Sequence, residues 1–149
     1  MNYMMFDCDS FERDILAGVK GSTFRARHVG KAARYKVGEL LSAKRWSGRP
    51  YDSKQRTFAF IRILEAQMFE FYSGRFFRLE KTPMFEALLQ TEIDTALLAQ
   101  TEGLSPDALV ERFSKEQKNG KPLLLWFYRF TLLRAAVSAK PPYQGGAEL

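Results

Sequence analysis

At 149 residues the chain is the length of one domain with a substantial core, and two independent domains would each be marginal. Its 46% hydrophobic and 27% charged residues exclude disorder, and one cysteine with one histidine excludes an internal disulfide and the usual Cys/His metal set. The net charge of +6 is modest but uneven: Lys20, Arg25, Arg27, Lys31, Arg34, Lys36, Lys44, Arg45 and Arg49 crowd one stretch against Glu39 alone, a pattern that attracts phosphate or a polyanion, or else simply forms a solvated face.

In chain order, Met4 to Cys8 reads as a short strand. Asp9 or Ser10 is a suitable cap for a helix carrying Phe11, Ile15 and Leu16 on one face, with Gly18 as its stop. Ser22 to Arg27 is extended, His28 to Lys36 is a basic loop, and Val37 to Lys44 is the next strand. After Ser47-Gly48-Arg49-Pro50, the run from Arg56 to Leu64 is rich in β-branched and aromatic residues and reads as a central strand continuing toward Phe71. Between Pro83 and Gly103, Phe85, Leu88, Leu89, Ile93, Leu97 and Leu98 recur at helical spacing, which predicts one or two amphipathic helices.

Ser105-Pro106 opens a further helix, with Leu109 and Phe113 inward. Asn119-Gly120 marks a turn, and Leu123 to Leu133 reads as a final strand buried on both faces. Pro141-Pro142 and Gly145-Gly146 predict a loose tail over residues 139–149. The most apolar run is interrupted by Arg129, and Met1 to Cys8 has no basic leader, so the expected setting is cytoplasmic, away from any membrane.

The segment Asp14-Ile15-Leu16-Ala17-Gly18-Val19-Lys20-Gly21-Ser22-Thr23-Phe24-Arg25, followed by Lys36-Val37-Gly38-Glu39-Leu40-Leu41, resembles the opening motifs of the ASCH domain: I-L-x-G-x-K-x-x-T-x-R, then K-x-G-[DE]-x-L. The resemblance implies an α+β fold, a PUA-like small mixed β-barrel with flanking helices. It suggests a single domain over residues 1–138 with a helical insertion at about 73–98. It is also similar, within that family, to small bacterial amidohydrolases that remove the acyl group from N4-acetylcytidine. Lys20, Thr23 and Arg25 match their pattern directly, and the family's glutamate maps onto Glu102, ahead of the Ser105-capped helix, with Glu92 as a competitor.

That set suits amide hydrolysis without a metal or other cofactor. A lysine desolvated beside other cations loses its proton more readily, so Lys20 would activate the Thr23 hydroxyl. Glu102 would pass protons to the leaving amine, and Arg25 or a backbone N–H would hold the oxyanion. Arg25, Arg27, Lys31, Arg34, Lys36 and Arg45 are the expected substrate or nucleic-acid contacts, and Tyr35, Trp46 or Phe24 would stack on a base. Each residue also has a plainer reading: Lys20 as a solvated helix-end lysine, Thr23 as a strand former, Glu102 as a helix-end charge, and Trp46 and Trp126 as core aromatics. Three functions fit: a nucleoside amidohydrolase, an RNA-binding module or ribonuclease, and a phage or mobile-element factor acting on host nucleic-acid machinery. The expected partner is RNA or a modified nucleoside.

Overall fold

The computed structural model describes residues 2–6, 9–26, 33–81, 88–117 and 120–136. Arg27, His28, Lys31, Phe85, Asn119 and the expected tail lie outside the described residues. Seven strands form one mixed sheet: β1 (Tyr3–Met5), β2 (Ser22–Ala26), β3 (Leu40–Trp46), β4 (Gln55–Tyr72), β5 (Arg75–Lys81), β6 (Leu88–Ile93) and β7 (Leu123–Ala135). Among the described residues three helices accompany it: α1 (Asp9–Leu16), α2 (Thr95–Glu102) and α3 (Pro106–Ser114). The chain therefore has the expected α+β class.

The 18-residue β4 is the spine. β7 runs antiparallel along one of its edges from Ala59 to Phe71. The other edge is shared: β3 takes the first half and β5 the second, with β1 parallel beyond β3, β6 antiparallel beyond β5, and β2 antiparallel on the far side of β7. Among the described residues the sheet forks and does not close, which corrects the expected barrel.

A bulge between Ile63 and Glu65 decides where the core sits. One inserted residue reverses which face a given parity occupies. Before it, Ile61 and Ile63 point into a first core with Met4, Phe6, Ile15, Leu41 and Phe58; after it, Ala66 keeps to that side while Phe69 and Phe71 point to a second core. The second core joins Phe24, Phe76, Leu98, Leu109, Phe113, Leu125 and Phe127 beneath α2 and α3. Phe24 is its hub, with the rings of Phe69, Phe76, Phe113 and Phe127 centred 4.8–5.6 Å away.

Between the cores runs β7, with Tyr128 and Phe130 on the first side and Leu125 and Phe127 on the second. The expectation of a strand buried on both faces holds from Leu125 to Tyr128, whereas Arg129 and Leu133 to Ala135 are exposed. The helical insertion expected at about 73–98 is corrected to a β-hairpin extension, β5 and β6, with helix only from Thr95. Leu88, Leu89 and Ile93 satisfy a helical spacing, but pairing of Leu88 to Ile93 with Lys81 to Phe76 overrides it. The strand expected from Val37 instead begins at Leu40, because Val37-Gly38 turn, with Gly38 at φ 87° donating to the Ile63 carbonyl at 2.7 Å.

Candidate functional site

Lys20 is set by the end of α1. Gly18 takes a left-handed φ of 77°, and the amides of Val19 and Lys20 both donate to the Asp14 carbonyl, at 2.8 and 3.0 Å. Gly21 then ties three elements together: its amide donates to the Thr101 carbonyl of α2 at 2.8 Å, and its carbonyl accepts from Phe130 of β7 at 2.8 Å. The far end of α2 is equally defined. Asp94 caps its start by accepting from the Ala96 amide at 2.9 Å, and Gly103 closes it at φ 73°. A Cβ on Gly103 would make only ordinary contact with the Cβ of Lys20, at 3.7 Å, so it is the left-handed backbone and not lack of space that calls for glycine where the helix end meets the lysine stem.

Two residues 82 positions apart thus meet. Lys20 Nζ lies 3.3 Å from Glu102 Oε1, with both side chains essentially excluded from solvent. Ser22 donates its hydroxyl to Glu102 Oε2, and Thr101 Oγ1, 2.8 Å from Ser22 Oγ and 2.9 Å from the Leu98 carbonyl, shares its one proton between those two oxygens. Among the described residues the buried polar or charged side chains are Lys20 (2% exposed), Ser22 (0%), Thr23 (4%) and Glu102 (1%). The expected trio, with Ser22 added, therefore makes up the buried polar set among the described residues.

Burial pushes the Lys20 ammonium below the ordinary lysine value of 10.5. Glu102 opposes that by attraction and a hydrogen bond, while Arg112 and Arg25 reinforce it by repulsion. The ammonium also stands 4.6 Å from the centre of the Phe11 ring.

Beside this cluster opens a cavity of about 250 Å³ whose wall includes Phe6, Phe11, Thr23, Arg25, Arg112 and Phe113. Alternation along β2 sends Ser22 and Phe24 to one face and Thr23 and Arg25 to the other. Hence the hydroxyl that Glu102 receives is that of Ser22, and Thr23 is presented to the cavity. Arg25 spans to β1, donating from Nη2 to the Met5 carbonyl at 2.6 Å with its guanidinium 5.2 Å from the Phe6 ring centre. Arg112 approaches from α3, its Nη1 3.9 Å from Glu102 Oε1.

The remaining expected contacts lie elsewhere. Arg34 and Lys36 are exposed on the turn before β3, where their amides donate to the Tyr128 hydroxyl and to Glu39 Oε1, at 3.0 and 2.9 Å. Tyr35 is a member of the first core, with its hydroxyl donating to the Tyr3 carbonyl at 2.9 Å. Arg45 pairs with Glu12, and Trp46 packs on Tyr51 at the tip of the β3–β4 hairpin. Glu92, the competitor for Glu102, is half-exposed on β6 and pairs with Arg75.

Sequence reading missed Ser22, Thr101 and Arg112. Ser22 lay inside the quoted motif at a variable position. Arg112 directly precedes the inward Phe113 on the helix that Ser105 caps, donating no clue beyond that adjacency.

No family model and no curated protein matches the chain. Solved structures that resemble it include two of bacterial origin. One is the crystal structure of a protein from Enterococcus faecalis that carries the family designation DUF984. It is 16% identical, with a TM-score of 0.54, and the match covers 85% of this chain and 68% of that one. The other is an ASCH domain from Lactobacillus crispatus, 16% identical with a TM-score of 0.48, covering 89% of this chain and 82% of that one. The first likeness shows a shared fold. Among the described residues no helix is long and apolar enough to cross a membrane.

Proposed function

We propose that the chain is an ASCH-like, PUA-related domain that takes a nucleoside or nucleotide into the cavity beside Lys20 and Glu102 and hydrolyses an N4-acyl amide of a modified cytidine. The observation that carries this reading is the buried Lys20–Glu102 pair, bonded at 3.3 Å behind a cavity lined by Thr23 and Arg25. An ion pair this deeply buried is a poor way to stabilise a fold, since desolvation offsets the attraction and apolar residues would do as well. A lysine held below its usual pKa is, by contrast, what base catalysis near neutrality requires.

In the proposed reaction Lys20 takes the Thr23 proton as Oγ1 attacks the acyl carbon, and Arg25 faces the developing oxyanion. The carbon–nitrogen bond then breaks, the cytosine amine leaves with a proton passed through Glu102, and water releases the acyl group from Thr23 as a carboxylic acid. A cavity of about 250 Å³ suits one nucleoside-sized ligand, with Phe6, Phe11 and Phe113 as apolar walls for a base.

The test is a chromatographic assay of the purified protein on N4-acetylcytidine. Wild type yields cytidine and acetate, and Thr23→Val, which keeps the shape of the side chain, lowers the rate by a factor on the order of 100 or more with little change in fold. Undiminished turnover by Thr23→Val removes the nucleophile role, and no turnover by wild type at high enzyme concentration removes the reaction. A non-catalytic RNA-binding role is favoured by the exposed Arg34 and Lys36, which lie outside the cavity. It predicts affinity for RNA that falls linearly in the logarithm of salt concentration, with a shallower slope in Arg34→Gln/Lys36→Gln.

A further inference from the structure

We infer that Arg112 is a phosphate-reading residue, so that the ligand of the cavity is a nucleotide and not a bare nucleoside; this rests on the nucleoside reading of the same cavity. Arg112 Nη1 is buried and has no hydrogen-bond acceptor among the described residues. Its nearest carboxylate oxygen, Glu102 Oε1 at 3.9 Å, is beyond hydrogen-bond reach and already serves Lys20, while Ser22 occupies Oε2. A buried guanidinium N–H left without an acceptor is costly, and native structures rarely keep one that nothing ever fills.

The rest of the Arg112 side chain is about one-third exposed and lines the cavity. The unsatisfied Nη1 thus stands between the buried cluster and the space that the rest of the side chain lines. An arginine fork matches phosphate oxygens in pairs, which a lysine does not.

The surroundings select for an anion as well. Among the described residues the titratable side chains on the cavity wall are Arg25, Arg112 and Glu116, and just behind them Lys20 and Glu102 offset each other. The described part of the wall therefore carries an excess of one positive charge, counting two arginines against one glutamate. Phe113 follows Arg112 on α3, with the guanidinium 5.0 Å from its ring centre, so the phosphate donor and an apolar wall for the base come from the same turn of helix. A bound phosphate would also counter the repulsion that Arg112 and Arg25 exert on Lys20, so ligand charge and the protonation of Lys20 are coupled.

The experiment is isothermal titration of the full chain with cytidine, cytidine monophosphate, inorganic phosphate and a cytidine-centred trinucleotide. It is run on wild type, Arg112→Gln, Arg112→Lys and the surface control Arg75→Gln. Wild type is expected to bind the monophosphate about tenfold tighter than cytidine, a gap that shrinks to within about twofold in Arg112→Gln, partly survives in Arg112→Lys, and is untouched in Arg75→Gln. An unchanged urea midpoint for Arg112→Gln, together with the untouched gap in Arg75→Gln, separates a lost phosphate contact from a damaged fold.

Equal affinity of wild type for cytidine and its monophosphate overturns the inference while leaving the nucleoside reading in place, and so does a gap retained in Arg112→Gln. Inorganic phosphate that binds in an Arg112-dependent way, with no binding of cytidine or its monophosphate, keeps the anion site and removes the nucleoside reading. Absence of binding by all four probes removes both. An Arg112-dependent preference for the trinucleotide over the monophosphate assigns the phosphate to a strand, and the reverse order assigns it to a free nucleotide.

Discussion

Two glutamates in this protein each gather two basic partners, and they do so in opposite environments. Glu12, on α1, accepts from Arg45 Nη1 at 3.2 Å and Arg56 Nη2 at 2.6 Å, with all three side chains keeping 14–20% of their surface in water. Glu102 holds Lys20 at 3.3 Å with neither side chain reaching solvent, and Arg112 stands off at 3.9 Å. The first cluster clips a helix to a hairpin and uses arginines, which keep their charge and fork onto a carboxylate. The second uses a lysine, whose charge yields to burial, and it sits beside a cavity. The same pairing of charges is a fastening where water remains, and where it does not it leaves a lysine with a lowered pKa beside a cavity.

The comparison breaks most visibly when each glutamate is removed. Glu102→Ala strands the Lys20 ammonium in a dry site and is expected to cost about 3–5 kcal/mol, whereas Glu12→Ala leaves two arginines that can reach water and should cost about 1 kcal/mol. Urea unfolding of the two variants measures both, and equal losses would mean that the depth of burial does not separate the clusters. About 0.5 M NaCl should shrink the Glu12 effect by screening and leave the Glu102 effect unchanged.

Removing both members of the buried pair sharpens the contrast. Lys20→Met/Glu102→Leu leaves no charge behind and should unfold within about 1 kcal/mol of wild type, while abolishing turnover. The same variant isolates the titration of Lys20. Its native pKa lies below the 10.5 of the unfolded chain, so between those two values the unfolded state binds the extra proton. Stability then rises with pH through that window, reaches its full value above 10.5, and is lost again as the pH falls through the native pKa. Urea midpoints measured from pH 7 upward should show wild type gaining on the double variant; parallel curves would deny that the lysine is perturbed. The rate of the proposed hydrolysis should rise with pH over the lower part of that window, as Lys20 loses its proton.

The smallest effect belongs to an exposed pair used as a baseline. Arg75 and Glu92 lie 3.7 Å apart with more than half of each side chain in water, and Arg75→Gln should shift stability by less than about 0.5 kcal/mol. A larger loss would point to a role for Arg75 in holding the β5–β6 hairpin beyond its charge.

Much of the site was legible because it is local. Lys20, Thr23 and Arg25 fall within six residues, and the Gly18 stop that orients them is a backbone signal written in one residue. Glu102 was reachable only through the helix start at Ser105 that follows it, a capping signal which the structure bears out at 3.2 Å from the Ala108 amide. Ser22 and Arg112 carried no comparable mark. Whether a serine in a strand meets a carboxylate, or an arginine on a helix loses its acceptor, depends on which element packs against it. The β5–β6 hairpin was read as helix for the reverse reason: its apolar residues fit two periods, and the partner strand chose between them.

The sequence by itself determined most of the alternation of strand and helix signals, the Gly18 stop after α1, the Ser105 cap of α3 and the crowding of polar residues between Lys20 and Arg25, because caps, left-handed glycines and short motifs act over a few residues. The tertiary structure alone decided that the sheet forks at β4, that a bulge after Ile63 divides the interior into two cores, and that Glu102 arrives beside Lys20 from 82 residues away. Those outcomes rest on long-range pairing and on exclusion of water. Neither is a property of any short stretch of chain, and it is the exclusion of water that turns an ordinary lysine and glutamate into a candidate site.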